Sequence, residues 1–292
     1  MKNILVIADL PENKPKALNK AVQLAKQLNA NVEVISFVYE KLKYIEAISD
    51  HGEVIEIKQK LVEQRNDWLK QELAQYDFDP SKLNSHVIWE KNIGKWIVDH
   101  TTNQPVDLII KTGHPSEGIF YTPTDWQLLR RSQYPVLLVA ERKWKKQHNI
   151  LVALDLSSQL KAKQSLNLLL LQQAKQWQQT MGGKVYLTFC LPISPLVKAI
   201  TGLSTKKAAK QAEAKYSPLA QSLVEQAGLE HADILIRAGE PDKVIASVAA
   251  DVNAGLTLIG TVGRKGLKGK LLGNTAEQTL ALLKTDVLAV QP

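Results

Sequence analysis

The stretch Leu258-Ile259-Gly260-Thr261-Val262-Gly263-Arg264-Lys265-Gly266-Leu267-Lys268-Gly269-Lys270-Leu271-Leu272-Gly273-Asn274-Thr275-Ala276-Glu277 carries the densest chemistry in the chain. It holds five glycines, the cations Arg264, Lys265, Lys268 and Lys270, and no acid before Glu277. Glycine admits positive φ and lets backbone N–H groups come close to phosphate oxygens. Asn274 or Thr275 can cap the helix that follows, and a helix N-terminus favours an anion. The chemistry indicated is phosphate binding. Two familiar phosphate loops do not fit. A G-x-x-x-x-G-K-[ST] loop fails because Arg264 stands where its first glycine belongs and Leu271 follows Gly269-Lys270. A G-x-G-x-x-G fingerprint is absent, and the loop follows a late strand rather than the first. The competing reading is a loop shaped only to pack a strand against a helix.

The elements that must position this loop come from a duplication. Lys2-Asn3-Ile4-Leu5-Val6-Ile7-Ala8-Asp9 recurs 146 residues later as His148-Asn149-Ile150-Leu151-Val152-Ala153-Leu154-Asp155. Near the end of each half a second apolar pair appears, 135–140 and 286–291. A period of half the chain means two domains, not a solenoid. Between these landmarks each half alternates strands and helices. In the first half, Leu18, Ala21, Val22, Ala25 and Leu28 share one helical face. Near-continuous apolar strands such as Asp107-Leu108-Ile109-Ile110 suit a parallel sheet covered on both faces. The expected fold is α/β: two tandem doubly wound, Rossmann-like domains, 1–142 and 148–292, joined by a charged linker around 141–147. Such sheets bind ligands at the carboxyl ends of their strands.

With the loop and the repeat in place, the chain resembles the universal stress protein family, in its tandem, two-domain branch. ATP-binding members carry G-x2-G-x9-G-[ST]. Here Gly260, Gly263 and Gly273 keep that spacing, and Asn274 stands where Ser or Thr is usual. Arg237-Ala238-Gly239-Glu240-Pro241 resembles the family's R-x-G-x-P turn. The resemblance implies an adenine nucleotide, ATP or a related one, with magnesium as the candidate metal, in the second copy. It places Asp155 near the nucleotide and any metal, and Cys190 where the family offers backbone to adenine. Gly260, Gly263, Gly273, Asn274 and Thr275 would surround ribose and phosphates, with Arg264 adding positive charge. A small buried apolar residue is the commoner role for a free cysteine.

The same place in the first half reads Lys111-Thr112-Gly113-His114-Pro115-Ser116-Glu117-Gly118-Ile119-Phe120-Tyr121-Thr122-Pro123. Thr112 and Pro115 replace the two opening glycines, and the basic cluster is gone. Proline donates no N–H and threonine resists positive φ, so this copy should not hold phosphates the same way. Asp9 remains.

The bulk numbers exclude several classes. One cysteine, Cys190, rules out an internal disulfide or a CxxC pair. The six histidines show no metal spacing, and neither a G-x-S-x-G elbow nor paired catalytic carboxylates stand out, so no catalytic or metal residues are assigned. The formal net charge of +8 favours anionic partners without choosing among them. Basic residues are not striped with aromatics, so nucleic acid is not an expected partner. No spanning helix and no signal segment are expected, which makes cytoplasm the default. The segment 199–215, with Lys206, Lys207, Lys210 and Lys215, reads either as a basic membrane-surface helix or, more ordinarily, as a solvated face.

Three functions stay open: a nucleotide-binding stress protein without dedicated catalysis, a module for an apolar or lipid-like ligand, and a slow ATP hydrolase. The closing strands 135–140 and 286–290 would be bare apolar edges in isolated domains. Antiparallel pairing would join the halves as an internal pseudo-dimer, leaving the whole chain a monomer or a homodimer.

Overall fold

The computed structural model describes residues 1–43, 51–113, 123–140, 148–261 and 274–292. The chain divides into two compact units, 1–112 and 113–292.

The first unit alternates β1 (Asn3–Ile7), α1 (Lys16–Leu28), β2 (Asn31–Val38), α2 (His51–Leu73), β3 (Leu83–Trp89), α3 (Ile93–Asn103) and β4 (Leu108–Thr112). Its strands lie in the order β3-β2-β1-β4, all parallel. Helices on both faces bury the sheet, and β1 and β4 are apolar on both sides for that reason. The apolar stripe of α1 is buried as its spacing requires, with Ala17, Leu18, Ala21, Val22 and Ala25 turned inward. Asn29 ends that helix in the left-handed region, and its N–H donates to the Ala25 carbonyl.

The second unit contains α4 (Pro123–Arg131), β5 (Val136–Val139), β6 (Asn149–Ala153), α5 (Lys161–Met181), β7 (Val185–Pro192), α6 (Pro195–Thr201), α7 (Thr205–Ala227), β8 (Asp233–Gly239), α8 (Pro241–Asp251), β9 (Ala254–Gly260), α9 (Asn274–Leu282) and β10 (Asp286–Val290). Its strands run β5-β10-β9-β6-β7-β8. All neighbours are parallel except β5 and β10.

The exception is the expected pairing of the two closing strands. Val287 pairs with Leu138, Leu288 with Leu137 and Ala289 with Val136. Leu137 therefore lies opposite its own counterpart, Leu288, and both are fully buried. The arrangement repeats itself around that pair: Gly113 N–H donates to the Val139 carbonyl (3.0 Å), and Thr261 N–H to the Val290 carbonyl (2.8 Å). Arg130 of α4 reaches Glu277 of α9 at 2.8 Å. By sequence β5 belongs to the first repeat, yet it clusters with the second unit because its partner β10 is there.

Two helices of the second unit carry features that the sequence reading left out. α6 begins ahead of the basic segment 199–215: Ser194 caps it, Pro195 opens it and Gly202 closes it. Proline at 218 sits inside α7 without ending it.

Candidate nucleotide site

Chain order reverses direction between β6 and β9. From β6 the chain moves out through β7 to β8, then returns to β9 on the other side. The carboxyl ends of β6 and β9 are thus the switch point where doubly wound sheets hold ligands. Ala153 pairs with Thr188 on one side and with Ile259 on the other. Asp155, Cys190 and Gly260 consequently sit at one end of three adjacent strands.

Asp155 lies two residues beyond β6. Its backbone is clamped by Asn167 from the second turn of α5: Asp155 N–H donates to Asn167 Oδ1 (3.1 Å), and Asn167 Nδ2 donates to the Asp155 carbonyl (2.9 Å). Asn167 is buried, so the clamp is firm. The carboxylate turns outward and its side chain is 39% exposed. Lys163 Nζ stands 2.6 Å from Oδ2, and Ser157 Oγ donates to Oδ1 at 3.0 Å.

Gly260 closes β9 directly beneath α5. A Cβ there would lie 2.4 Å from Leu166 Cδ2 and 2.9 Å from Leu166 Cγ. Close helix–strand packing thus requires this glycine whether or not a ligand is present. Cys190 is buried, and its thiol is pushed up to about 11 by burial and then by the Asp242 carboxylate. The thiol is neutral at physiological pH. Gly263, Arg264 and Gly273 lie outside the described residues, as do the side chains of Asn274 and Thr275. α9 is described from Asn274 onward. The Arg237-to-Pro241 turn joins β8 to α8 through Gly239, at φ +150°.

The corresponding end of the first unit is built differently. Asp9 is only 8% exposed. Its Oδ2 accepts the Ala17 N–H at 3.1 Å, and Thr112 Oγ1 accepts the same N–H at 3.1 Å. The residue standing where Gly260 stands in the second copy thus helps to cap α1. The register carries the comparison one strand further. Ile4 pairs with Val32, and Ile150 with Val185, so Phe37 corresponds to Cys190. At Phe37, Arg65 of α2 donates to the backbone carbonyl at 2.8 Å. Counted back from the C-terminal ends of α2 and α7, Arg65 in the first matches Leu219 in the second. His114, Pro115 and Thr122 lie outside the described residues.

Asn167, Lys163 and Arg65 carry much of this contrast, and none stood out in the sequence. Each is an ordinary polar residue on a helix, recognisable only once the strand ends are placed. A separate cavity of about 620 Å³ lies towards the amino-terminal ends of β1–β3, lined in part by Glu33, His86, Trp96 and His100. There His100 Nε2 is 3.1 Å from both Glu33 oxygens, and its ring stacks on Trp96 at 4.5 Å. Among the described residues no group of three or more His, Cys, Asp or Glu could hold a metal ion, and no helix is long and apolar enough to cross a membrane.

Two α/β repeats with a switch-point crevice agree with what similarity to known proteins shows. The universal stress protein family model matches residues 1–140 and again 147–291. The chain belongs to the universal stress protein family. Over 301 residues it is 30% identical to the universal stress protein E homolog of Haemophilus influenzae, covering 100% of this chain and 97% of that protein. A crystal structure of a functionally unknown Pseudomonas aeruginosa protein superposes with a TM-score of 0.72 at 25% identity, covering 100% of this chain and 92% of that one. A universal stress protein from Archaeoglobus fulgidus shares the fold at 16% identity, with a TM-score of 0.64 over 99% of this chain and 98% of its own.

Proposed function

We propose that this universal stress protein binds one adenine nucleotide, ATP or a close relative, in its second repeat, without a dedicated catalytic group. The observation that carries the reading is the contrast between the two aspartates. Asp155 is held by its backbone and offers its carboxylate to solvent at the switch point, whereas the Asp9 carboxylate is spent on capping α1. The stretch 262–273, which follows β9 in the sequence, is rich in glycine and lysine, a composition suited to phosphates. Both Asp155 oxygens already accept hydrogen bonds, so magnesium would enter with the phosphates rather than in a protein cage.

Calorimetric titration of ATP tests this, with an expected stoichiometry near one. Gly263→Val and Gly273→Val should abolish the heat while circular dichroism stays unchanged, because a branched side chain blocks close backbone approach. Asn274→Ser should keep or improve affinity, by about 1 kcal/mol at most. Two equal sites would overturn the claim that Thr112, Pro115 and Pro123 disable the first repeat, and normal binding by both valine variants would mean that the loop serves packing alone.

A further inference from the structure

One long span of the chain is basic throughout. From Leu156 to Ala212 there is no aspartate or glutamate, while Lys161, Lys163, Lys175, Lys184, Lys198, Lys206, Lys207 and Lys210 fall within it. The chain holds 37 Lys and Arg against 29 Asp and Glu, so outside this span the two balance at 29 each. The eight lysines of this span equal in number the formal excess of +8.

The fold gathers six of them at one end of the second unit. Lys161 and Lys163 open α5, Lys198 lies on α6, and Lys206, Lys207 and Lys210 occupy the first two turns of α7. All three helix segments emerge at the carboxyl ends of β6 and β7. Large apolar side chains are exposed at the same end: Leu160 at 63%, Leu196 at 67%, Ile200 at 76%, with Val197 beside them. No residue of α6 is buried. A helix that rests none of its side chains on the core, and carries leucine, valine and isoleucine outward, costs solubility without contributing packing. The acids at this end are Asp155, paired with Lys163, and Glu240 and Asp242 at the start of α8, of which Glu240 is paired with Lys243.

We infer that this end of the second unit docks on an anionic lipid bilayer, with Leu196, Val197 and Ile200 entering the headgroup boundary and Lys198, Lys206, Lys207 and Lys210 facing the lipid phosphates. Exposed aliphatic residues on α6, with Lys198 on the same helix and three lysines at the start of the next, match the two requirements of a reversible membrane surface contact, buried apolar area and attraction to acidic headgroups. A nucleic acid would use the lysines but not the aliphatic ridge, since its backbone offers nothing apolar to bury. No lysine in the span is interleaved with an exposed aromatic for base stacking.

Co-sedimentation of the full chain with vesicles tests the proposal, using equal parts phosphatidylglycerol and phosphatidylcholine against phosphatidylcholine alone. The protein should pellet with the first and stay in solution with the second. Leu196→Ser combined with Ile200→Ser should reduce pelleting at least tenfold. Lys206→Glu combined with Lys207→Glu should reduce it similarly. These side chains are exposed, and an unchanged melting curve checks that each pair of substitutions leaves the fold intact. No pelleting with acidic vesicles overturns the inference. So does full pelleting by the Leu196/Ile200 variant, which would reduce the contact to charge alone. Capture by an RNA homopolymer together with indifference to vesicles would assign the lysines to nucleic acid and overturn it equally.

Discussion

Asp9 and Asp155 end the first strands of two copies of one domain, and they do opposite things. In the first unit the carboxylate is drawn in and spent on the Ala17 N–H, with Thr112 sharing that donor. In the second, Asn167 takes over the task of fixing the backbone, which frees the carboxylate to point out towards Lys163 and Ser157. One buried asparagine on the neighbouring helix thus separates a capping aspartate from a presented one. The difference continues on the next strand, where Arg65 occupies the Phe37 carbonyl and its counterpart on the matching helix is Leu219. A duplicated sequence motif is therefore no guarantee of duplicated chemistry, because the side chains that decide it belong to the helices behind.

The largest effect expected from breaking this contrast is on binding. Asp155→Ala should weaken ATP by about thirtyfold, the scale of one hydrogen bond to a charged group, while Asp9→Ala leaves the calorimetric constant unchanged. Equal losses in both variants would remove the asymmetry. Next comes Gly260→Ala, which forces a methyl into Leu166 and should lower unfolding free energy by about 1–3 kcal/mol in a denaturant melt. An unchanged midpoint would show that α5 yields there and that the glycine serves something else. Asp9→Ala should cost about 1 kcal/mol, as expected for a lost helix cap, and Asp155→Ala should cost less, because its carboxylate caps no helix. The smallest effect concerns Cys190. With its thiol held up to about 11, iodoacetamide at pH 8 should label it only when the protein is unfolded. Rapid labelling of the native chain would place a reactive thiolate at the strand end instead.

Much of the fold was legible because it depends on patterns the chain repeats. The apolar strands and the face of α1 follow from spacing, and the closing-strand pair follows from two bare apolar edges. α6 was missed although Ser194, Pro195 and Gly202 mark its ends, because seven residues without a buried face leave no periodicity to read. The strand-end positions of Asp155 and Gly260 were readable, since a strand terminus leaves a sequence trace. Asn167, Lys163 and Arg65 were not, because their importance arises only when helix and strand are brought together. Gly260 shows the limit from the other side: its spacing suits a phosphate loop, and its surroundings also require a glycine for packing against Leu166.

The position of β10 carries a consequence for how the second unit is made. It is an inner strand, flanked by β5 and β9, and it is the last of the described strands to be synthesised. Its partner β5 leaves the ribosome about 150 residues earlier and must wait, apolar and unpaired on that side, while everything between is translated. At the usual elongation rate of about 5–20 residues per second, that exposure lasts on the order of ten seconds or more. Newly made chains in that interval are open to joining one another through β5, so the same symmetry that completes the finished sheet makes its assembly sensitive to crowding of nascent copies.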